Sequence, residues 1–463
     1  MSSLFYGLNI GKNTLAAQTS VINTVSHNVA NANTPGYSRQ TVNLIAISDD
    51  TSNGRFGVGL RIGGGADAAS VTRSRFGLYD LIYRNESQDY NAFSKMEEMV
   101  NQIELLFDEP SERGLGGIFN DFFNAWQEVG NDPSSMAARN SLKSIGDELT
   151  SRMHRIYNQL LTMQLDVDNE IATTPQRLNE IASEIADLNA SIRISTVQGQ
   201  GGNDLRDKRD LLVDEMSEFA DVRVVEKSDG TYTVLVGTNV VVERDTYSEL
   251  SVTTQSTGGR NVKRTVIVSA DGNEYEPTSG KLGALIEIRD NIIPGITDEL
   301  NTIADALVTY VNFEHRNGYG VDGKTNRNFF DPTRTKAFNI SLSTDIDDVS
   351  NIAVSGDGSK GDNTNAMNMV QLKDNNVIKN SFTLSEYYNS LIADIGILGS
   401  EARSGRQNEE LLITQVDNAR ESIKGVSIDE ELIHLIQSQH IYQSASRLIV
   451  TLDELLDVVV NLT

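Results

Sequence analysis

The first forty residues carry an apolar repeat of seven, and this repeat constrains the fold more than any other feature of the chain. Its members are Leu4, Leu8, Leu15, Ile22, Val25 and Val29. A heptad stripe of this kind predicts a helix that lies along another helix. Residues 1–48 contain no Asp or Glu, and their only cations are Lys12 and Arg39. We therefore expect this helix to be covered by neighbours or to form a neutral polar wall.

The stripe ends in a segment of turn-forming residues. This segment contains Asn31, Asn33, Thr34, Pro35, Gly36 and Tyr37. Proline lacks the amide hydrogen that a helix interior needs, and Pro-Gly is a strong turn signal. The sequence therefore predicts that the chain turns away from the helix at this point.

A second heptad stripe lies at the other end of the chain. One seam position holds Leu435, Tyr442, Ile449 and Leu456, and the other holds Ser438, Ala445, Leu452 and Val459. Ser427 and Glu430 have the spacing of a capping box at the start of a helix. We expect the two terminal helices to pair as a coiled coil. Periodicity alone favours an alternative, in which both are ordinary amphipathic helices of one core.

Helical periodicity dominates the region between the two stripes. It predicts helices over residues 76–107, 119–131, 135–196, 204–218, 281–311 and 384–396, followed by a separate polar helix over 401–423. Because proline disrupts helical hydrogen bonding, Pro175 predicts a break or kink in the longest of these helices, and Pro294 predicts a kink in a later one.

The charged run at 204–210 has two possible interpretations. Asp204 and Lys208 are four residues apart, as are Arg206 and Asp210. Opposite charges at this spacing are typical of a solvated helix face, which is the interpretation that we prefer. A contact with a neighbouring subunit is the alternative.

The character of the sequence changes at residue 221. Four β-branched runs between 222 and 268, separated by Asp-Gly turn signals, predict a small inserted β domain. A further hairpin is predicted from residues 41–47 and 55–62. The expected fold class is mainly α with an inserted small β domain (α+β). The expected domains are a terminal coiled coil (1–45 and 425–463), a mainly helical body (46–219 and 281–424) and the β domain (220–280).

Composition excludes several functional classes. The chain has 65 acidic and 39 basic residues and a net charge of −26, which disfavours binding to nucleic acid or to an anionic membrane surface. It has no cysteine, so disulfides and thiol chemistry are excluded. No apolar run reaches the ~18 residues of a membrane span, and the N-terminus lacks the features of a cleavable signal peptide.

No constellation of catalytic residues is evident. The five histidines are scattered, and the spacing of His434 and His440 does not suit a metal pair on one helix face. The aspartates between 345 and 362 lack the spacing of a calcium loop. We interpret Asn312 and His315 as capping and turn contacts rather than as an acid–base pair. The sequence thus predicts no catalytic residue, no cofactor and no metal.

Six segments of the chain resemble one family, in the same order along the sequence. NVANANTPGYSRQ at 28–40 and GVSIDEELIHLIQSQHIYQSASRLI at 425–449 are similar to the N- and C-terminal signatures of the bacterial flagellar rod, hook and hook-associated proteins. Internal segments at 122–139, 204–219, 278–296 and 310–323 resemble the hook-associated members at the hook–filament junction. Members of this family commonly carry a further outer domain, whereas this chain is expected to have only one small outer domain.

This resemblance implies a structural, non-catalytic role outside the cell. It implies a subunit of the junction between hook and filament, exported by the flagellar type III apparatus without a cleaved signal peptide. The implied partners are the flagellar hook protein, a second junction protein, further copies in a ring, and an export chaperone on the C-terminal helix. The seam residues named above would then form the assembly interface. We also expect both terminal helices to be disordered in the free monomer, because their apolar stripes would otherwise stay in water.

Two alternative functions stay open at this point. One is another axial flagellar protein, of the hook or rod type. The other is a secreted adhesin or glycan-acting protein whose β domain binds the ligand. A glycan groove needs exposed aromatic side chains, and residues 221–280 contain three tyrosines without Trp or Phe.

Overall fold

The computed structural model describes residues 2–47, 63–109, 111, 114–199, 201–256, 263–379 and 381–461, and helices dominate them. The helices are α1 (Ser2–Asn31), α2 (Gly77–Phe107), α3 (Leu115–Asn131), α4 (Met136–Val197), α5 (Asn203–Phe219), α6 (Gly280–Glu287), α7 (Ile293–Asn317), α8 (Thr364–Gln371), α9 (Leu384–Lys424) and α10 (Ile428–Asn461). A π-helical segment, Ile288–Ile292, joins α6 to α7 and ends two residues before Pro294. Single 3-10 turns occur at Thr344–Ile346, Val349–Asn351 and Leu372–Asp374.

The strands of the described residues form three antiparallel sheets. The strands are β1 (Gln40–Ala46), β2 (Ala66–Arg73), β3 (Val222–Glu226), β4 (Tyr232–Val236), β5 (Asn239–Glu243), β6 (Thr246–Tyr247), β7 (Ser251–Ser256), β8 (Lys263–Val268) and β9 (Glu274–Tyr275). β1 pairs with β2, β3 to β6 form a meander, and β7 to β9 form a second meander. The predicted partner of β1, residues 55–62, lies outside the described residues. β2 is not predicted from the sequence, because its small and polar residues have low β propensity.

α4 is the longest element, and helices and sheets pack along it. Three polar side chains of α4 bind the two larger sheets. Asp168 accepts a hydrogen bond from the Thr265 amide at 2.9 Å, and Asn179 accepts one from the Leu250 amide at 2.8 Å. Asn189 donates to the Tyr232 carbonyl at 3.0 Å. Side chains of α4 therefore hold the backbone of the β region on the helical body by hydrogen bonds.

The helix does not end at Pro175, so the predicted break is wrong. α4 is 62 residues long in total and passes through this buried proline without ending. The hydroxyls of Thr173 and Thr174 donate to the Glu170 carbonyl, at 3.1 and 2.8 Å. Apolar side chains on both sides of Pro175 are buried in one core, and this packing keeps the two halves in a single helix.

The predicted separation of residues 384–396 from 401–423 is also wrong, because α9 is one helix of 41 residues. It packs along α2. Glycines in its middle serve that close packing. A Cβ on Gly399 would lie 2.8 Å from Glu104 Oε1, and a Cβ on Gly405 would lie 2.7 Å from the Phe93 ring. Both glycines lie inside the helix and allow it to approach α2 closely.

The fold class is confirmed as mainly α with a small β part. Buried side chains of the helices α2 to α9 and of the two larger sheets form one continuous hydrophobic core. At one end of it Trp126 is fully buried among Phe122, Phe329 and His315, with ring centroids 5.4 to 6.5 Å from the indole. Among the described helices, none is long and apolar enough to cross a lipid bilayer.

Candidate assembly interface and its joint to the body

The terminal helices pair with each other as predicted, and they run antiparallel. A Cβ placed on Gly7 would lie 3.0 Å from Leu452 Cδ1, which puts the start of α1 beside the end of α10. Asn28 Nδ2 lies 2.9 Å from Glu431 Oε2, which puts the end of α1 beside the start of α10. α10 packs mainly on α1, whereas α1 also contacts the β1–β2 hairpin. The hairpin lies along α1, since Asn13 Nδ2 donates to the Gly64 carbonyl at 3.1 Å, whereas the contacts with α5 of the helical body lie near the end of α1.

The predicted seam residues are partly covered by this pairing. Val25 and Ala445 are buried. The half-buried members are Leu8, Leu15, Ile22, Val29, Leu435, Ile449, Leu452 and Leu456. Tyr442 is 39 % exposed, and the side chains of Leu4 and Val459 lie outside the described residues. These are contacts within one chain, so the role of the residues in assembly stays a prediction.

α10 has a second apolar row that sequence analysis missed. It consists of Ile441, Leu448 and Leu455, which are again seven residues apart and are 46–48 % exposed. The same spacing that revealed the first seam could have revealed this one. Large apolar side chains at a regular interval on an open helix face are typical of a surface that is covered by another molecule.

The signature turn has the predicted form. The Thr34 amide donates to the Asn31 carbonyl at 2.9 Å, and the Tyr37 amide donates to the Thr34 carbonyl at 3.2 Å. Asn33, Thr34 and Pro35 are exposed. Gly36 has a φ of +76°, in the left-handed region that favours glycine, and it lies against Leu211 of α5. The turn thus returns the chain from α1 towards the body.

Asn28 holds this turn closed, although no pattern in the sequence marks it as a site residue. Its side chain is 1 % exposed. Its Oδ1 accepts from the Gln40 amide at 3.0 Å and from the Tyr37 hydroxyl at 2.8 Å, while its Nδ2 donates to the Gln40 carbonyl at 2.9 Å and to Glu431. Arg39 Nε donates to the same Glu431 carboxylate at 2.7 Å. One asparagine therefore joins α1, the strand after the turn and α10.

A buried network of alternating charges connects this region to the body. Its arginines are Arg73, Arg75, Arg84 and Arg420, and its aspartates are Asp80, Asp207, Asp210 and Asp214. They come from β2, the β2–α2 linker, α2, α5 and α9, and the closest ion pairs lie at 2.6 to 2.9 Å. We call these eight residues the joint network.

Asp210 is the most enclosed carboxylate of the joint network. Arg73 Nη1 and Arg75 Nη1 each lie 2.8 Å from it, and the Tyr232 hydroxyl donates to it at 2.7 Å. Burial alone would raise the pKa of Asp210, but the charges of Arg75, Arg73 and Arg84 outweigh burial and hold it at about 2. Asp210 is therefore ionised at neutral pH, and four strands and helices meet around its charge.

The α1 turn is bonded to the same network through Asp207. This carboxylate accepts from the Ser38 amide at 2.9 Å, from the Ser38 hydroxyl at 2.8 Å and from Arg73 at 2.7 Å. Nearby, Asp204 lies 3.1 Å from His27 of α1 and accepts from Gln40 at 2.7 Å. Burial and these carboxylates together raise the pKa of Tyr37. The terminal pair is thus positioned on the body by polar contacts.

The preferred interpretation of the 204–210 run as a solvated face is therefore wrong. Asp207, Arg209 and Asp210 are at most 4 % exposed. The proposed i,i+4 partners bind elsewhere, since Asp204 contacts α1 and Arg206 Nη1 lies 2.9 Å from Glu226. Arg209 instead lies over the Tyr232 ring, 3.3 Å from its centroid. The inward side of α5 is charged because arginines from β2 and α2 face it.

Asn312 and His315 make the predicted turn contacts. Asn312 Oδ1 accepts from the amides of Phe329 and Phe330, each at 2.9 Å. His315 Nε2 accepts from the Ala353 amide at 3.0 Å, so Nδ1 carries the hydrogen and donates to the Arg327 carbonyl at 2.8 Å. Within the described part of the chain, no group of three or more His, Asp or Glu side chains could hold a metal ion.

Three family models match separate parts of the chain. The model of the flagellar hook-associated protein FlgK helical domain matches residues 100–330. The model of the flagellar basal body rod FlgEFG protein C-terminal region matches residues 422–462, and that of the flagella basal body rod protein matches residues 8–37. Part of the helical body and most of both terminal helices are thus matched by flagellar models.

Relatives of one name align with the whole chain. Flagellar hook-associated protein 1 of Bacillus subtilis (strain 168) is 29 % identical over 500 aligned positions, which cover 100 % of this chain and 99 % of the relative. The protein of that name from Salmonella typhimurium is 24 % identical over 566 positions, with 100 % of both chains covered. Because this alignment is longer than the 463 residues of the present chain, that relative has segments that the chain lacks.

A solved structure has the same fold. It is the flagellar hook junction protein FlgK from Burkholderia pseudomallei, which superimposes with a TM-score of 0.66 at 16 % identity and covers 75 % of this chain and 100 % of that chain. Family models for both ends and the middle, full-length relatives of a single name and this shared fold agree. The chain belongs to the flagellar hook-associated protein 1 family.

Proposed function

We propose that this chain is a structural subunit of the bacterial flagellum at the junction between hook and filament, and that its terminal helices are the assembly interface. One observation carries this proposal. α1 and α10 pack on each other, contact α5 of the helical body near the end of α1, and leave an apolar row of α10 in contact with solvent. Such a pair has a large surface that only further subunits would bury.

The joint network gives the terminal pair a fixed direction on the body. Eight charges from five parts of the chain meet between the turn after α1 and the end of α9. Ion pairs of this kind are strongly directional, and a missing partner leaves a buried charge. The proposed mechanism is mechanical: the terminal helices bind neighbouring subunits, and the joint transmits force between them and the body without a large change of angle.

We further propose specific neighbours for this subunit. Copies of the chain form a ring, with the flagellar hook protein on one side and a second hook-associated protein on the other. The helical body forms the wall of this ring, and the β3–β9 region faces outward. Export proceeds through the flagellar type III apparatus without cleavage of a signal peptide, to an extracellular position. An export chaperone binds the C-terminal helix before assembly.

In this proposal the protein has no catalytic activity, and the adhesin alternative is not favoured. Of the three tyrosines in the β region, Tyr232 and Tyr275 are buried in the core, and Tyr247 is 40 % exposed. A glycan-binding groove usually presents several aromatic faces to solvent. One partly exposed tyrosine does not supply such a groove.

Electron microscopy of cells that lack this protein tests the proposal. We expect hooks without filaments, and monomeric filament protein in the medium, because the filament would have no junction on which to start. The full-length gene should restore filaments. Normal filaments in the deletion strain would contradict the proposal, and loss of surface adhesion with normal filaments would favour the adhesin alternative.

A further inference from the structure

One outer strand of the β region has an open edge. β7 pairs with β8 over all six of its residues, from Ser251 opposite Val268 to Ser256 opposite Lys263, without a shift of register. No strand in the described part of the chain pairs with the other side of β7, and all of its residues are exposed. The backbone groups on that side can therefore form hydrogen bonds with a further strand.

The residues of β7 do not protect this edge. Outer strands usually are very short or carry lysine, proline or a bulge, and these features prevent pairing with another chain. β7 consists of Ser, Val, Thr, Thr, Gln and Ser, and has none of these features. The other outer strands of the two larger sheets differ, since β6 and β9 have two residues each and β3 contains Arg223 and Glu226. β7 is thus the edge of these sheets best suited to accept a further strand.

A groove of about 840 Å³, which we call the β7 groove, lies between the start of β7 and α4. Asn179 of α4 fixes this arrangement, because it accepts a hydrogen bond from the Leu250 amide and donates one to the Leu250 carbonyl, both at 2.8 Å. Tyr247 and Val252 line the groove and are 40 and 45 % exposed. Exposed Tyr and Val side chains beside an open strand edge offer apolar contacts to an added strand.

The lining of the β7 groove is acidic. It contains Glu180, Glu184 and Glu249, and no Lys, Arg or His. Glu180 forms an exposed pair with Arg177 at 3.1 Å, whereas within the described residues no cation pairs with Glu184 or Glu249. These carboxylates attract a basic partner and repel an acidic one. A second copy of the chain would bring the same carboxylates to a contact between two β7 edges, so a basic segment fits the groove better than a second copy.

We propose that the β7 groove binds an extended segment of another protein that carries Lys or Arg. The backbone of this segment pairs with the outer edge of β7 and adds a fourth strand to the three-stranded sheet. Because side chains alternate along a strand, every second one lies over the groove. Basic side chains there reach Glu184 and Glu249. Binding of such a segment does not depend on the place of the chain in the flagellum.

Titration of the full-length protein with three labelled hexapeptides tests the proposal. The first peptide has lysine at alternate positions with threonine and valine between them. The second has glutamate in place of lysine, and the third is the lysine peptide with a proline in the middle. In fluorescence anisotropy the lysine peptide should bind saturably and more weakly at high salt, because salt screens the carboxylates. It should also slow amide exchange in residues 251–256.

The other two peptides separate charge from strand pairing. The glutamate peptide should not bind, since the groove repels it. The proline peptide should bind roughly tenfold more weakly than the lysine peptide, because proline has no amide hydrogen to donate to a strand.

Variants of the protein locate the binding site. Val252→Lys places a cation on the edge strand and should weaken binding of the lysine peptide by roughly tenfold. Val197→Lys is the matched control, since Val197 is 84 % exposed at the end of α4 and does not line the groove. It should leave binding unchanged. Glu184→Gln combined with Glu249→Gln should weaken binding by up to roughly tenfold. All of these side chains are exposed, so circular dichroism should show the wild-type fold in each variant.

Three results would overturn the proposal. The first is equal binding of the three peptides, or no saturable binding of the lysine peptide. The second is equal binding to Val252→Lys and Val197→Lys, which would place the peptide elsewhere on the surface. The third is a dimer of the protein alone in sedimentation that Val252→Lys dissociates, which would show that β7 pairs with a second copy. Failure of the proposed function would be visible separately, as normal filaments in the deletion strain.

Discussion

At the scale of single residues, the joint network is the part of the molecule most sensitive to change. Asp210 is 2 % exposed and contacts Arg73, Arg75 and Tyr232. Removing one member of a buried ionic group leaves its partners charged and unsolvated, which costs about 3–5 kcal/mol. Asp210→Ala should therefore lower the free energy of unfolding by that amount in denaturant titrations followed by circular dichroism.

An exposed ion pair serves as the control for Asp210→Ala. Glu410 lies 2.7 Å from Arg406 on the surface of α9. Exposed pairs contribute only about 0–1 kcal/mol, so Glu410→Gln should change the free energy of unfolding very little. Equal effects of the two substitutions would mean that the joint network is solvated in solution and does not fix the joint.

His315 makes the stability of the body depend on pH. Its side chain is fully buried, and burial lowers its pKa to about 4, from an ordinary value of 6.5. Between these two pH values the unfolded chain binds a proton that the folded protein does not. The free energy of unfolding should therefore fall as the pH is lowered from 6.5 to 4, by up to about 3 kcal/mol from this residue.

His315→Gln isolates this contribution, because all carboxylates stay the same in both proteins. Trp126, whose ring centroid is 6.1 Å from that of His315, reports unfolding of this region by its emission. The variant should be less stable than the wild type at pH 7, and its stability should decrease less between pH 6.5 and 4. Parallel pH profiles would show that His315 does not stay neutral in the folded protein.

Residue-scale predictions from the sequence succeeded where the partners are local. Asn312 and His315 bind backbone groups within about forty residues, and their position at a helix end indicated such contacts. The partners of Asp207 and Asp210 are arginines more than 120 residues earlier in the chain. Alternating charges look the same in a sequence whether water or distant arginines surround them, so the burial of this run could not be predicted.

At the scale of helices and strands, periodicity located most elements, while glycine and proline were misleading. The heptad stripes predicted both terminal helices and their pairing. The sequence suggested a helix end at about Gly396, inside α9, and Pro175 suggested a break or kink in α4. The effect of such residues depends on what packs beside them, and that information is absent from the local sequence.

The seam of the terminal helices can be tested by placing a charge in it. Ile449 is half-buried against Gly11 of α1 and lies 21 residues after the start of α10. Burying a carboxylate there would cost several kcal/mol. Ile449→Asp should therefore abolish filament assembly but leave the circular dichroism of the body and the Trp126 emission nearly unchanged. Exported, unassembled protein in the medium is the expected result, and Leu15→Asp should likewise prevent assembly.

Two results would contradict this view of the seam. Asp429→Asn, at the exposed start of α10, is the control and should assemble normally. Normal assembly of Ile449→Asp would show that this face of α10 is not part of the interface. Unfolding of the body by the same substitution would show that the terminal helices contribute to its core.

At the scale of the whole molecule, α4 separates two regions with different roles. A Cβ placed on Gly146, near the start of α4, would lie 3.3 Å from the ring of Phe329, which packs on Trp126. Asn189, near its end, accepts a hydrogen bond from Arg209 of α5 at 2.8 Å. At about 1.5 Å per residue, these two positions lie about 65 Å apart along the helix. The joint and the aromatic cluster are therefore too distant to contact each other.

This distance predicts that the terminal helices and the aromatic cluster unfold independently. The test is a shortened chain that lacks both α1 and α10 but keeps Ser38, which binds Asp207. It should retain the Trp126 emission maximum and the unfolding midpoint of the full-length protein, because well-separated sites contribute additively. Gly146→Ala is the positive control, since a methyl group at that position would press on Phe329 and should shift both signals. A shift of the Trp126 emission maximum and the unfolding midpoint in the shortened chain as large as that in Gly146→Ala would contradict this prediction. It would mean that the terminal helices and the aromatic cluster are coupled through α4.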